Sequence, residues 1–163
     1  MIKRIFSVLL TFVLLCIMSL PVSAADKSEV KIDGSELTYK ETSKGTTNLE
    51  NLVRGTHLMD GECSITKAGR GKIYVYASTT ANHTVDYVSA ILYVDQYNPE
   101  TGYWEQIAYW QVEDKDTYYV STSKLLTVES GYFYRVHASH VAGMKADYPY
   151  EEATSLTDGI LID

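Results

Sequence analysis

The chain has 163 residues, of which 45% are hydrophobic and 21% are charged, and its formal net charge at pH 7 is −7. This length fits a single domain that can bury a real core. The acidic side chains are spread along the chain, and such a surface repels phosphate backbones and anionic lipid headgroups, which argues against a nucleic-acid partner.

Residues 1–24 have the parts of a secretory signal peptide. Lys3 and Arg4 precede an apolar run over residues 5–20, and a small-residue cleavage site ends at Ala24. The apolar run has 16 residues, fewer than the roughly 20 that a membrane-spanning helix needs. We therefore expect cleavage after Ala24, a secreted, extracellular product and no membrane span after cleavage. The loss of Lys3 and Arg4 would leave 12 basic and 21 acidic side chains, a net charge of −9.

The segment that follows, residues 25–52, is polar and weakly patterned. Runs rich in Ser, Thr, Lys, Asp and Gly break any apolar period there. We expect a loosely ordered lead-in over residues 25–52, with a single folded domain over residues 53–163.

From residue 63 onward, apolar and polar residues alternate with the period of a β-strand, and turn residues separate the alternating segments. No segment has a convincing helical period. This pattern predicts an all-β fold, an antiparallel β-sandwich of immunoglobulin or fibronectin type III character with about seven strands. The predicted strands cover residues 63–66, 72–79, 85–97, 103–112, 118–126, 132–141 and 155–162.

The alternation also predicts which residues face the core. Each of three strands places four apolar or aromatic side chains on one face, and a tyrosine near the start of the third resembles the corner tyrosine of immunoglobulin-like sandwiches. The three sets are Val88, Ala90, Leu92 and Val94; Trp104, Ala108, Trp110 and Val112; and Tyr132, Tyr134, Val136 and Ala138.

The strongest functional signal is aromatic, because the chain contains 14 tyrosines and two tryptophans. If the third and fourth predicted strands form a hairpin, an outer stripe of tyrosine and isoleucine lies opposite their core face. Such a stripe can stack on a glycan or on peptide, and we expect a glycan or an envelope protein as partner. The structural alternative is that tyrosine is simply a good strand residue with a polar tip. The stripe comprises Tyr87, Ile91, Tyr93, Tyr103, Ile107 and Tyr109.

The four histidines raise the possibilities of a metal site and of catalysis. His137 and His140 are the only close pair, but residues three apart on a strand project from opposite faces, so we predict no metal site and no other cofactor. The sequence contains no nucleophile elbow and no zinc-protease motif, and we assign no catalytic residue. The alternative, a small extracellular hydrolase, would need His57, His83 or His140 to meet a carboxylate or Cys63 in one cleft.

Cys63 is the one cysteine outside the predicted signal peptide, so the domain has no internal disulfide. Its place in a predicted strand favours a buried apolar side chain. The alternative is self-assembly, either through a disulfide between chains or through an open sheet edge.

A series of glycine and aromatic positions runs through the predicted strands and turns, at residues 61–65, 69–72, 78–81, 88–94, 104, 130–136, 140, 152–155 and 157–160. In these positions the chain resembles a family of small secreted proteins from Gram-positive anaerobes that is catalogued as domain of unknown function 6147. The resemblance implies export and a β fold over about residues 53–162, and it implies no chemistry.

Overall fold

The computed structural model describes residues 31–47 and 55–163, and the predicted signal peptide lies outside them. Most of the described residues are in strands, as predicted, and a 3-10 helix at Lys145–Asp147 lies between β9 and β10. None of the described segments forms a helix long and apolar enough to cross a membrane. The strands are β1 (Lys31–Ile32), β2 (Ser35–Thr38), β3 (Thr42–Thr46), β4 (Leu58–Lys67), β5 (Lys72–Val85), β6 (Tyr87–Asn98), β7 (Tyr103–Asp114), β8 (Thr117–Thr127), β9 (Phe133–Gly143), β10 (Glu151–Leu156) and β11 (Gly159–Leu161).

The strands form two sheets that pack against each other. The large sheet has the order β1-β2-β11-β9-β6-β7, and β10 also pairs with β9. The small sheet has the order β3-β4-β5-β8. Neighbouring strands run antiparallel, except that β2 and β11 are parallel. This arrangement is consistent with a β-sandwich, in which the inner faces of two sheets supply one core.

The core lies between β4 and β5 of the small sheet and β6 and β9 of the large sheet. The prediction for β6 is confirmed, because its four inward side chains are fully buried. Tyr134, Val136 and Ala138 of β9 are also buried as predicted, whereas Tyr132 is only partly buried at the edge of the core. The hydroxyl of Tyr134 donates a hydrogen bond to the carbonyl oxygen of Glu129, at 2.8 Å.

The structure differs from the sequence prediction in residues 31–47 and in the number of strands. These residues form β1, β2 and β3 at the margins of the sheets, where a loosely ordered lead-in is predicted. Their buried side chains are small and hydroxylated, and the two in β2 donate hydrogen bonds to backbone: the Ser35 hydroxyl to the Thr157 carbonyl and the Thr38 hydroxyl to that of Gly159. Hydroxyl groups satisfied in this way can be buried, so a search for apolar alternation misses these strands.

A β-bulge in β7 corrects one of the predicted core faces. Val94 pairs with Ala108 but Asp95 pairs with Gln106, so Ile107 is an extra residue. A bulge of one residue reverses the alternation beyond it. Trp104 therefore lies on the outer face of the large sheet, opposite to Ala108, Trp110 and Val112, which pack against the core.

Candidate functional site

The outer face of the large sheet carries a row of three aromatic side chains, Tyr109, Tyr93 and His137, that we call the aromatic row. The three residues are cross-strand partners on β7, β6 and β9. The Tyr93 and His137 rings stack with centroids 4.6 Å apart and planes within 5°, and the Tyr93 and Tyr109 rings stack at 6.1 Å and 19°. Stacked aromatic pairs across strands stabilise a sheet and fix its register.

This geometry decides which ring faces are free. Tyr93 is stacked from both sides, because its neighbours lie on the two strands that flank β6. Tyr109 has one covered face, and 67% of its surface is exposed. At its β7 end the row therefore offers the open ring face of Tyr109 to a partner, on the side of β7 away from β6.

A buried ion pair lies next to the row. Nε of Arg135 donates to Oδ2 of Asp95 at 2.9 Å, and Nε2 of His137 is 3.5 Å from the same oxygen. The Arg135 guanidinium also lies over the Trp104 ring, 4.5 Å from its centroid. Burial alone would raise the pKa of Asp95, but hydrogen bonds from His137 and Arg135 outweigh it and hold the pKa below its usual value. This pair fixes His137 at the inner end of the aromatic row.

A second aromatic group occupies the other end of the same face. Tyr87 stacks on Tyr150 with centroids 5.1 Å apart, and Tyr150 meets Tyr148 edge to face. The Tyr87 hydroxyl donates to Glu113 at 3.0 Å and accepts a hydrogen bond from Gln111. Tyr87 is thus tied to its own sheet, while the exposed ring at this end is that of Tyr148.

The predicted outer stripe is only partly assembled. Tyr87, Ile91, Tyr93 and Tyr109 share the outer face, but the bulge places Tyr103 on the opposite side of β7, where it is largely exposed. Ile107 is the bulged residue itself. Tyr103 does not join the aromatic row, and the sequence prediction of a continuous stripe along β7 was wrong at this residue.

The histidines are distributed over three places. His137 and His140 project from opposite faces of β9, as predicted. His57 and His83 meet at 3.1 Å, and Nε2 of His57 is 3.0 Å from Oδ2 of Asp147. Neither Cys63 nor a serine hydroxyl takes part in that cluster, so it contains a base and a carboxylate but no nucleophile. Within residues 31–47 and 55–163, no group of three or more His, Cys, Asp and Glu side chains is arranged to hold a metal ion.

Glu151 contacts the backbone next to the cluster of His57, His83 and Asp147. Its carboxylate accepts hydrogen bonds from the backbone N–H groups of Thr56, His57 and Leu58, at 2.6 to 2.9 Å. Burial would raise the pKa of Glu151, but these three donors lower it on balance. The contacts attach the beginning of β4 to β10, which is a structural role.

His140 forms a buried network that resembles the hydroxyl–imidazole pair of a hydrolase. Nε2 of His140 is 2.7 Å from the Ser155 hydroxyl, and Nδ1 is 2.9 Å from the Thr79 hydroxyl. Because Thr79 donates its proton to the Ser89 carbonyl, it accepts from Nδ1–H, and Ser155 donates to Nε2. His140 is 0% exposed and Ser155 is 2% exposed, so a substrate cannot reach this pair.

Cys63 lies in the core beside this network. Its side chain is 1% exposed, as predicted, and burial raises the pKa of its thiol to about 11. A buried, protonated thiol is neither a nucleophile nor accessible to a second chain. Catalysis by Cys63 and a disulfide between two chains would both require an exposed, reactive thiol.

The comparisons with known proteins do not assign the chain to a group. No protein-family model matches it, and no curated protein matches it either.

The sequence interpretation places neither His137 nor Trp104 on the outer face of the large sheet. It weighs His137 only as half of a metal pair, although the pairing of β9 with β6 places it beside Tyr93. Its position could have been predicted from period-two alternation once that pairing was known. The outward position of Trp104 could not have been predicted in this way, because no residue type indicates the bulge at Ile107.

Proposed function

We propose that this chain is an exported, non-enzymatic binding module, and that it binds a protein of the cell envelope or the extracellular medium through the outer face of its large sheet. The observation that carries the proposal is the exposed ring of Tyr109 at the open end of the aromatic row. Exposed tyrosines with one fixed ring face are typical of protein-recognition surfaces, because they lose little conformational entropy on binding.

A protein partner is favoured over a glycan because the row offers little free ring surface for stacking. Sugars stack on flat ring faces, but both faces of Tyr93 are covered and one face of Tyr109 is covered as well. A hydrolase is disfavoured because His140 and the two hydroxyl groups that contact its imidazole, those of Ser155 and Thr79, are buried in the core.

An immunoglobulin or fibronectin type III relationship is part of this proposal. The hydrogen bond from Tyr134, near the start of β9, to the upstream carbonyl of Glu129 supports it, because the corner tyrosine of such sandwiches makes the same kind of contact. Membership of the secreted family that the sequence resembles is likewise proposed, on the glycine and aromatic positions given above.

The test is a binding screen of the purified protein against arrays of envelope proteins and of glycans. Tyr109→Ala should lose the hit, because it removes the free ring face. The matched control is Tyr118→Ala on β8, which removes a ring of similar exposure, 57%, from the small sheet. A hit that survives Tyr109→Ala in a folded variant would contradict the proposal, and a glycan hit lost in Tyr109→Ala would identify a glycan as the partner instead.

A further inference from the structure

β7 is an open edge of the large sheet. In the described part of the chain it pairs with β6 on one side only, over 12 residues. On the other side, alternate N–H and C=O groups of the strand point away from the sheet. A long edge of this kind is a template on which another extended segment can add as a strand.

The aromatic row ends at this same edge. His137, Tyr93 and Tyr109 occupy three successive strands, each ring stacked on the next. The free face of Tyr109 looks toward the position of a further strand. A side chain on a strand added to β7 would therefore become the fourth member of the row, as neighbours on one face of a sheet do.

The charge of β7 indicates the chemistry of that segment. The strand contains Glu105, Glu113 and Asp114 and no Lys or Arg. Opposite charges on paired strands attract and like charges repel, so a basic segment is favoured and a second copy of β7 is disfavoured. The edge strand of the small sheet, β8, has the reverse character, because its one charged residue is Lys124.

We propose that the partner binds by strand addition: a basic, extended peptide segment pairs with the edge of β7 and places an arginine or aromatic side chain on Tyr109. An arginine fits this position well, because its planar guanidinium stacks on a tyrosine ring and its positive charge is attracted by the carboxylates of β7. The inference rests on the proposed function and adds to it the class of partner and the mode of binding.

The experiment uses synthetic peptides about nine residues long, enough to pair with most of the 12 residues of β7. The first peptide alternates threonine with arginine and tyrosine, and its control has glutamate in place of every arginine. Two further versions of the basic peptide carry N-methyl groups on alternate residues, at odd positions in one and at even positions in the other. Binding to the full protein is measured by fluorescence anisotropy at low and high salt.

We expect the basic peptide to bind more tightly than the acidic one and to weaken with salt. An added strand directs the N–H of every second residue toward β7, so one N-methylated peptide should lose binding and the other should keep it. Tyr109→Ala should weaken binding by about tenfold, the upper end for loss of a stacked pair, and Tyr118→Ala should not.

Equal binding of the two N-methylated peptides would overturn strand addition, and equal binding of the acidic and basic peptides would overturn the basic partner. Failure of every peptide, alongside an array hit that depends on Tyr109, would overturn the inference while leaving the proposed function standing. An array hit indifferent to Tyr109→Ala overturns the proposed function itself.

Discussion

Acid should destabilise this protein through His140, whose imidazole is buried in neutral form. Burial lowers the pKa of His140 from 6.5 to about 4, although the nearby carboxylate of Asp60 acts in the opposite direction. The folded state therefore binds a proton less readily than the unfolded state between these two pH values. The contribution of His140 to stability is fully present above pH 6.5 and is lost as the pH falls toward about 4.

The size of the effect follows from the difference between the two pKa values. At about 1.4 kcal/mol for each pH unit, the free energy of unfolding should fall by about 3 kcal/mol between pH 7 and pH 4 through this group. Protonation would also break the network, because Nε2 accepts a hydrogen bond from Ser155 and cannot do so once it carries a proton.

The assay is urea unfolding at several pH values between 7 and 4, for the natural protein and for His140→Gln. Glutamine does not titrate in this range, so the difference in unfolding free energy between the two proteins isolates the contribution of His140. That difference should shrink by about 3 kcal/mol as the pH falls. A difference that stays constant with pH would refute the assignment of a neutral, buried imidazole, and so would an NMR titration of His140 with a midpoint near 6.5, which requires no variant.

Three further predictions concern the core and the ion pair. Tyr134→Phe removes the hydrogen bond to Glu129 and should lower the free energy of unfolding by about 1 kcal/mol in a denaturant titration, whereas no change would show that the bond is not formed. Cys63 should not react with a thiol reagent in the native protein and should react fully in urea, since it is buried with a pKa of about 11; rapid native labelling would contradict this. Asp95→Asn leaves Arg135 buried without its counter-ion and should cost about 3 kcal/mol in urea unfolding, and a loss near zero would mean that the pair is exposed to solvent.

The sequence predicts the middle of the molecule better than its margins. β6 has four apolar residues at strict period two, and the structure buries all of them, because a strand covered on one face must alternate. β2 and β3 have no such pattern. Their buried positions include Ser35, Thr38 and Ser43, whose hydroxyl groups are satisfied by distant backbone groups. Those partners are more than 100 residues away along the chain, so local pattern cannot predict them.

In the candidate site too, some positions follow from the local sequence and others depend on how distant strands pair. Tyr93 and Tyr109 were predicted to share a face because they lie on one continuous hairpin, and they do. The pairing of Tyr93 with His137 depends on β9 lying next to β6, a contact between strands that are not consecutive. The displacement of Tyr103 depends on a single extra residue. The position of His137 and that of Tyr103 are both decided by how the strands pair, and not by residue type.

The bulge at Ile107 makes the length of β7 more important than the identity of the bulged side chain. Ile107 is itself exposed, so a substitution there changes only a surface group. Deleting Ile107 would remove the bulge and leave Trp104 on its present face, because Gln106 and Ala108 would then alternate directly. Deleting a residue between Trp104 and Ile107 while the bulge remains would instead turn Trp104 over, away from the Arg135 guanidinium that it now covers. Variation in this strand should therefore tolerate exchange of residues, and should tolerate insertion or deletion only where the face of Trp104 is kept, a constraint on its evolution that acts on residue count.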